Sequence, residues 1–102
     1  MTDERKPKSH ARNAQLREVL RLFALLGHPL RVEIFQRLAR APMSAGELAR
    51  TLPVTRTAVV QHLKLLESAR LVQSTARGRQ RIYRVHSRGL APLSRWLERH
   101  AR

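Results

Sequence analysis

The sequence has no cysteine, one tryptophan, one tyrosine and two phenylalanines among 102 residues. Without thiols, the chain can form neither disulfides nor thiolate metal sites, and the redox compartment stays open. Acidic residues are also scarce, with 7 Asp and Glu against 21 Lys and Arg, which gives a formal net charge of +14. Such an excess of positive charge attracts polyanions, but it does not distinguish DNA from RNA or from an acidic membrane surface.

The sequence also lacks an apolar run as long as a membrane span, and its N-terminus is charged and unlike a signal peptide. It has no phosphate-binding glycine loop, no Ser/His/Asp arrangement around a glycine elbow and no pair of carboxylates in a candidate pocket. We therefore expect a cytoplasmic protein that is not an enzyme and has no membrane partner. A chain of this length forms one domain with a small core, for which oligomerisation is a common supplement.

The most informative stretch extends from Ser44 to Leu71 and predicts two short helices joined by a tight turn. Ser44 and Glu47 have the spacing of a capping box, so the first helix should begin at Ser44. It should end near residue 51, because Pro53 lacks an N–H donor and restricts the residue before it. Thr55 is a favourable N-cap for the second helix, and neither glycine nor proline occurs in the twelve residues after it.

On a helical wheel, the second helix divides into an apolar arc and a polar arc. The polar arc also contains Val60, an apolar residue that a solvated face does not need but that could contact a thymine methyl in a groove. The alternative is an ordinary amphipathic helix with a solvated polar face. The arc predicted to be buried contains Ala58, Val59, His62, Leu63, Leu65 and Leu66. The candidate DNA-binding residues of this helix are Thr55, Arg56, Thr57, Val60, Gln61 and Lys64.

Two further helices are predicted before this motif. Leu16, Val19, Leu20, Phe23 and Leu26 form one stripe, whereas Leu22 and Leu25 lie nearly opposite, so this helix should be buried on two sides. One of those sides could pack against a second copy of the chain. His28 and Pro29 predict the N-cap and first residue of the next helix, on which Glu33 and Arg37 form an i,i+4 pair.

The chain before residue 15 lacks apolar periodicity and carries several charges. We predict that residues 1–14 form a mobile basic arm, either simply disordered or in contact with phosphates, and that residues 15–102 form the folded domain.

After the motif, β-forming residues on both sides of Gly78 predict a hairpin. Its strands should be residues 72–75 and 81–85, with a five-residue basic turn between them. A hairpin directly after two such helices would be a wing, whose arginines could enter a minor groove, although a solvated cluster of charge is the usual alternative. The candidate DNA-binding residues of the wing are Arg77, Gly78, Arg79 and Arg81.

The end of the chain predicts one more helix, because Leu90, Leu93 and Leu97 form a stripe with Trp96 beside it. Pro92 fits only in the first turn of that helix. The first and last helices both carry apolar surface that a compact centre does not need, and we predict that together they form a dimer interface. The residues of this predicted interface are Leu16, Leu20, Phe23, Leu90, Leu93, Trp96 and Leu97.

The predicted fold is mainly α with a small β-hairpin, a winged helix-turn-helix with the order α-α-α-α-β-β-α. This order, together with the stretches GHPLRVEIFQRL, SAGELARTLPVTRTAVVQHLKLLESARLV, GRQRIYRV and LAPLSRWL, closely resembles the ArsR/SmtB family of bacterial winged-helix repressors over about residues 15 to 98. The resemblance implies a homodimer that binds palindromic operators in double-stranded DNA through the helix from residue 55 to 68. Members of the family usually respond to an inducer that releases the DNA, and here no inducer is identified.

The sequence departs from the family in the residues that would bind a signal. Family members that sense soft metals use cysteines, which this chain does not have. His86 and His100 lie near the last helix without the ligand spacing of the zinc-sensing members, and the other histidines are His10, His28 and His62. We therefore predict no metal site and no cofactor. His62 is expected to be a hydrogen-bonded residue at the edge of the core.

The leading hypothesis is a sequence-specific DNA-binding regulator, a homodimeric repressor of a palindromic operator. The alternative is a basic winged-helix protein that binds DNA or RNA without sequence choice. The ratio of specific to non-specific affinity separates the two, because a repressor should prefer its operator by about 10³-fold or more at fixed salt.

Overall fold

The computed structural model describes the backbone of residues 6–101 and the side chains of residues 12–101. The elements, in chain order, are α1 (Lys6–Leu26), α2 (Pro29–Arg40), β1 (Met43–Ser44), α3 (Ala45–Arg50), α4 (Arg56–Ser68), β2 (Val72–Arg77), β3 (Gln80–Val85), a 3₁₀ turn (Ser87–Leu90) and α5 (Ala91–His100). This order confirms the mainly α, winged helix-turn-helix fold. Within the described residues, no helix combines the length and the hydropathy needed to cross a membrane.

Helix α1 is longer than the sequence indicated, because it begins at Lys6. Pro7 lies in its first turn, where a missing N–H does no harm, and no further proline or glycine follows until Gly27. Residues such as Ala, Arg and Gln favour a helix without needing apolar periodicity. The helix thus crosses the boundary drawn between residues 14 and 15. Residues 1–5 lie outside the described residues, and the mobility of an arm stays a prediction.

The core side of α1 also differs from the predicted stripes. Val19 and Leu22 are buried, with Leu25 and Leu26 half-buried against the core. The predicted stripe from Leu16 to Leu26 therefore does not form one surface, since Val19 and Leu26 face the core. Its other members, Leu16, Leu20 and Phe23, are exposed. The centre of the core consists of fully buried side chains from α1 to β2, which are Leu22, Ile34, Leu48, Val59, Leu63, Leu66, Leu71 and Val72.

The predicted hairpin is part of a three-stranded antiparallel sheet with the strand order β1-β3-β2. Strand β1, which pairs Met43 with Tyr83, was not predicted, because two residues are too few to show an alternating pattern. The turn of the hairpin is shorter than expected, since pairing continues to Arg77 and Gln80. Only Gly78 and Arg79 remain in the turn. Gly78 has φ +63°, the left-handed conformation that tight hairpin turns require.

The end of α4 and the 3₁₀ turn before α5 meet backbone to backbone. The N–H of Leu71 donates to the carbonyl of Leu66 at 3.0 Å, and the N–H of Arg70 donates to the carbonyl of Glu67 at 2.9 Å. These bonds form a Schellman motif in which Arg70, at φ +61°, takes the place usually held by glycine. A Cβ atom on Gly89 would lie 2.0 Å from the Arg70 carbonyl oxygen. Only glycine permits this approach of the 3₁₀ turn to the end of α4.

Candidate nucleic-acid interface

Side-chain caps fix the starts of α3 and α4. The Ser44 hydroxyl accepts from the Glu47 N–H at 3.1 Å, and the Ser44 N–H donates to the Glu47 carboxylate at 2.9 Å, which confirms the capping box. The helix itself begins at Ala45, because Ser44 is its N-cap. The backbone N–H of Ser44 lowers the pKa of the Glu47 carboxyl. Thr55 is confirmed as the N-cap of α4, since its hydroxyl accepts from the Ala58 N–H at 3.1 Å.

The buried side of α4 is narrower than the sequence predicted. Val59, Leu63 and Leu66 are fully buried, whereas His62 is half-buried at the edge of the core. Leu65, which was predicted to be buried, is 44% exposed. It lies at the edge of the apolar arc, away from the buried row. The fully buried row of α4 is therefore flanked by half-buried residues, and the opposite side of the helix is open to solvent.

The open side of α4 brings the polar candidates together. Its exposed residues include Thr55, Arg56, Thr57, Gln61 and Lys64. Val60 is half-buried and packs against the core, so burial by itself accounts for an apolar residue at this position. Its contact with a base stays a prediction. The face as a whole presents two cations and several groups that can donate or accept hydrogen bonds, which is the chemistry that base edges and phosphates require.

A chain of side-chain hydrogen bonds connects the wing to the end of α4. The Ser74 hydroxyl donates to the Glu67 carboxylate at 3.0 Å, and Arg81 Nε donates to the Ser74 oxygen at 3.1 Å. Arg81 is therefore held on the flank of the hairpin, while the other wing candidates are at the tip. Sequence analysis did not assign Glu67 or Ser74 to the wing, because their contact depends on how β2 folds back. The exposed tip contains Arg77, Gly78 and Arg79.

Arginines of α2 connect that helix to the motif. Arg37 Nε contacts the Glu33 carboxylate at 3.1 Å, which confirms the predicted i,i+4 pair. The same guanidinium donates to the hydroxyl of Thr51 at the C-cap of α3. Arg31 Nε donates to His62 Nδ1 on α4 at 3.2 Å. This bond confirms that His62 is a hydrogen-bonded residue at the edge of the core.

His28 and His62 face each other between α2 and α4. His28 Nδ1 accepts from the N–H of Leu30 at 3.2 Å, as expected of the N-cap of α2. The centroids of the two imidazole rings are 4.8 Å apart. Desolvation lowers the pKa of His62, and the nearby charges of His28 and Arg31 lower it further.

A second exposed surface, on α1 and α5, is apolar. Leu20 is 55% exposed and Leu97 is 43% exposed, and the ring of Phe23 meets the ring of Trp96 edge to face at 5.6 Å. We define the apolar patch as Leu16, Leu20, Phe23 and Leu97, all of them exposed.

Three residues of the predicted dimer interface are wholly or partly buried within the single chain. Leu93 is only 8% exposed, so the prediction that a second chain buries it is wrong. Leu90 and Trp96 are half-buried and pack against the core. The helical stripe on α5 could not separate these residues from Leu97, because the direction in which α5 packs on α1 is decided by the tertiary structure.

The described histidines do not gather into a metal centre. No group of three or more His, Cys, Asp or Glu side chains within residues 12–101 has a geometry that could hold a metal ion. The His100 ring stacks on Trp96 at 4.5 Å, and one of its ring nitrogens lies 2.9 Å from the Trp96 carbonyl oxygen. The side chain of His10 lies outside the described part of the chain.

Comparison with known proteins gives consistent matches. A family model described as a helix-turn-helix domain matches residues 26–75. The chain is 47% identical to the HTH-type transcriptional regulator Rv2034 of Mycobacterium tuberculosis over 79 residues, which are 78% of this chain and 74% of that protein.

Solved structures agree with these matches. An ArsR-like transcriptional regulator from Rhodococcus sp. RHA1 superposes with a TM-score of 0.75 at 40% identity, over 84% of this chain and 81% of that one. The homodimeric winged helix-turn-helix DNA-binding domain of a possible ArsR-family regulator from Mycobacterium bovis superposes with a TM-score of 0.71 at 25% identity, over 99% of this chain and 87% of that one.

Proposed function

Because this chain belongs to the ArsR-type family of winged helix-turn-helix transcriptional regulators, a DNA-binding and non-enzymatic class, we propose that it is a homodimeric repressor of a palindromic operator. The observation that carries the proposal is the open side of α4, where Arg56, Thr57, Gln61 and Lys64 are exposed together. A repressor of this kind acts on the genome, so we place it in the cytoplasm. An inducer of unidentified chemistry would complete the regulation.

In the proposed complex, α4 lies in the major groove. The amide of Gln61 can donate to and accept from the edge of an adenine at the same time, whereas Arg56 and Lys64 suit guanine or phosphate. Arg77 and Arg79 extend from the tip of the wing towards the neighbouring minor groove. The two copies of α4 in a dimer would enter successive major grooves, about 34 Å apart. Occupation of that stretch would exclude RNA polymerase.

The apolar patch supports the dimer. Of the five large hydrophobic residues that are exposed among the described side chains, four lie on α1 and α5, and the fifth is Leu65. Exposed apolar residues grouped on two helices that pack together mark interaction surfaces. A two-fold axis through the patch would place each patch against its copy, as isologous dimers require. The homodimeric neighbour from M. bovis is consistent with such an assembly.

Selection of bound fragments from genomic DNA tests the DNA-binding part of the proposal. We expect the enriched fragments to share a palindrome whose half-sites are centred about one helical turn apart. At fixed salt, the affinity for that palindrome should exceed the affinity for a scrambled duplex by about 10³-fold or more. Fragments with no common sequence and equal affinity for the scrambled duplex would instead identify a basic protein that binds nucleic acid without sequence choice.

Sedimentation equilibrium tests the dimer. The wild-type chain should sediment as a dimer at micromolar concentration, and Leu20→Glu should shift it to monomers, because the substitution places a charge in the middle of the apolar patch. Leu65→Glu is the matched control, since this leucine is similarly exposed but lies on α4. A helical monomer in the wild type, or dissociation by both substitutions alike, would contradict the proposed interface.

A further inference from the structure

Arg31 connects three elements at the back of the recognition helix α4. It lies in the first turn of α2 and is half-buried. Its Nη1 donates to the carbonyl oxygen of Leu25, near the end of α1, at 3.1 Å. Its Nε donates to Nδ1 of His62 on α4 at 3.2 Å. One planar guanidinium on α2 therefore bonds to both α1 and α4, with the fixed geometry that arginine provides.

His62 can accept this bond only as a neutral imidazole, because Nδ1 must keep its lone pair. On the other side of this contact, His28 Nδ1 accepts from the N–H of Leu30. A proton added to His62 would place a positive charge beside the Arg31 guanidinium and remove the acceptor at the same time. The contact between α2 and α4 would then change from attraction to repulsion.

We propose that Arg31 is a positioning residue for DNA recognition, which holds α4 in its reading orientation through neutral His62 and releases it when His62 is protonated. This inference rests on the proposed function. His62 directly follows Gln61 in α4, so a shift of α4 that separates His62 from Arg31 also displaces the amide proposed to read a base. Such readout requires the reading side chain to be held within about 0.5 Å of its productive position.

The surroundings of His62 favour its neutral form. Arg31 of α2 and His28, the N-cap of that helix, face His62. From α1, the carbonyl of Leu25 accepts from Arg31. Burial lowers the pKa of His62 most, and the two basic groups lower it further. Its neighbours one turn away on α4 are uncharged: Ala58, Val59, Leu65 and Leu66. Two carboxylates of α2 and α4 are bonded elsewhere, Glu33 to Arg37 and Glu67 to Ser74.

Acidification would then have two opposing effects on DNA binding. An added positive charge raises the affinity for any duplex, because this term depends only on phosphates. The loss of the Arg31 contact lowers the affinity for the operator alone. The ratio of operator affinity to scrambled-duplex affinity, which we call the specificity ratio, separates the two effects. It should fall as the pH falls.

The test measures the dissociation constants for the selected operator and for a scrambled duplex between pH 5.5 and 8, at constant ionic strength. In the wild type, we expect the specificity ratio to fall by about fivefold or more towards pH 5.5, the lower end of the range for coupled sites. Arg31→Met should lower the ratio already at pH 8 and flatten its pH profile.

Two histidine variants separate positioning from a general structural effect. His62→Asn places an amide oxygen near the position of Nδ1, an acceptor that does not titrate, and should keep the ratio high at every pH. His100→Asn is the control, because His100 lies at the end of α5, and its pH profile should match the wild type. The helicity of each variant shows whether it has folded. If another variant does not fold, the pH profile of His62→Asn alone decides the test.

The outcomes are distinct. A wild-type specificity ratio near 1 at every pH would refute the proposed function itself. A large ratio that does not change with pH would overturn the inference and leave the function standing. The same conclusion would follow if His62→Asn kept the wild-type pH dependence, because the titrating group would then lie elsewhere.

Discussion

Gly89→Ala tests a close backbone contact, where the 3₁₀ turn before α5 meets the end of α4. The added methyl would lie 2.0 Å from the Arg70 carbonyl oxygen and 2.6 Å from its carbon. Ordinary contacts begin near 3.4 Å, so the two backbones must separate by more than 1 Å. Overpacking of this kind costs about 1–3 kcal/mol.

The separation also endangers a neighbouring bond, in which the N–H of His86 donates to the carbonyl of Leu71 at 2.9 Å. Loss of that bond adds about 1 kcal/mol. We therefore expect Gly89→Ala to lower the free energy of unfolding by about 2–4 kcal/mol, measured by urea denaturation at one fixed protein concentration, because dimerisation makes stability depend on concentration.

Gly46→Ala is the matched control for this experiment. A Cβ on Gly46, in α3, would meet no atom closer than the Ser44 hydroxyl at 3.9 Å. Alanine should therefore stabilise the protein by up to about 0.5–1 kcal/mol, since glycine is unfavourable inside a helix. If Gly89→Ala were as harmless as Gly46→Ala, the close packing of the 3₁₀ turn on α4 would be refuted.

Four further expectations concern local interactions. Arg70→Gly should raise the free energy of unfolding by about 0.5–1 kcal/mol, because glycine relieves the strain of the left-handed backbone by more than it adds freedom to the unfolded chain. Urea denaturation measures this change. Ser44→Ala removes the cap of α3 and should lower the same quantity by about 1 kcal/mol, whereas Ser68→Ala, at the end of α4, should cost less. The pKa of His62 is lower in the folded chain than its ordinary value near 6.5, so the unfolded chain binds protons more readily below that pH. Stability should therefore be complete above about pH 6.5 and decrease as the pH falls towards the lower folded value, and thermal melts of His62→Asn should lose part of this dependence. Finally, Zn²⁺, Ni²⁺, Cu⁺ and arsenite at micromolar concentration should leave the operator complex intact, because the chain has no thiolate and its described residues hold no group of three or more other metal-ligating side chains. Stoichiometric release that His86→Ala or His100→Ala abolishes would contradict this.

The features that the sequence predicted correctly depend on residues close together in the chain. The capping box of Ser44 and Glu47, the N-cap Thr55 and the His28-Pro29 start of α2 each involve positions at most three apart. Such signals act through local backbone hydrogen bonds, so they are visible before any tertiary structure is known. Together with apolar periodicity and the β-forming residues on both sides of Gly78, these signals predicted the helices, the hairpin and the fold class.

The features that the sequence did not predict depend on distant contacts. Arg31 and His62 are 31 positions apart, and no local pattern pairs them. Leu93 and Leu97 belong to one helical stripe, yet the fold buries the first and leaves the second exposed. Periodicity identifies an apolar face but not the partner that covers it. The same reason explains why Leu65 was placed in the buried arc of α4.

In the proposed complex, the open side of α4 reads DNA sequence and the tip of the wing contributes mainly charge. Gln61→Ala and Arg79→Ala, compared with the wild type in fragment selection and in binding as a function of salt, test this claim most directly. Gln61→Ala should weaken operator binding by about 1–3 kcal/mol and relax the preference at one base pair of each half-site. Arg79→Ala should weaken binding to all sequences and reduce the salt slope by about 1. An unchanged base preference in Gln61→Ala would contradict the claim.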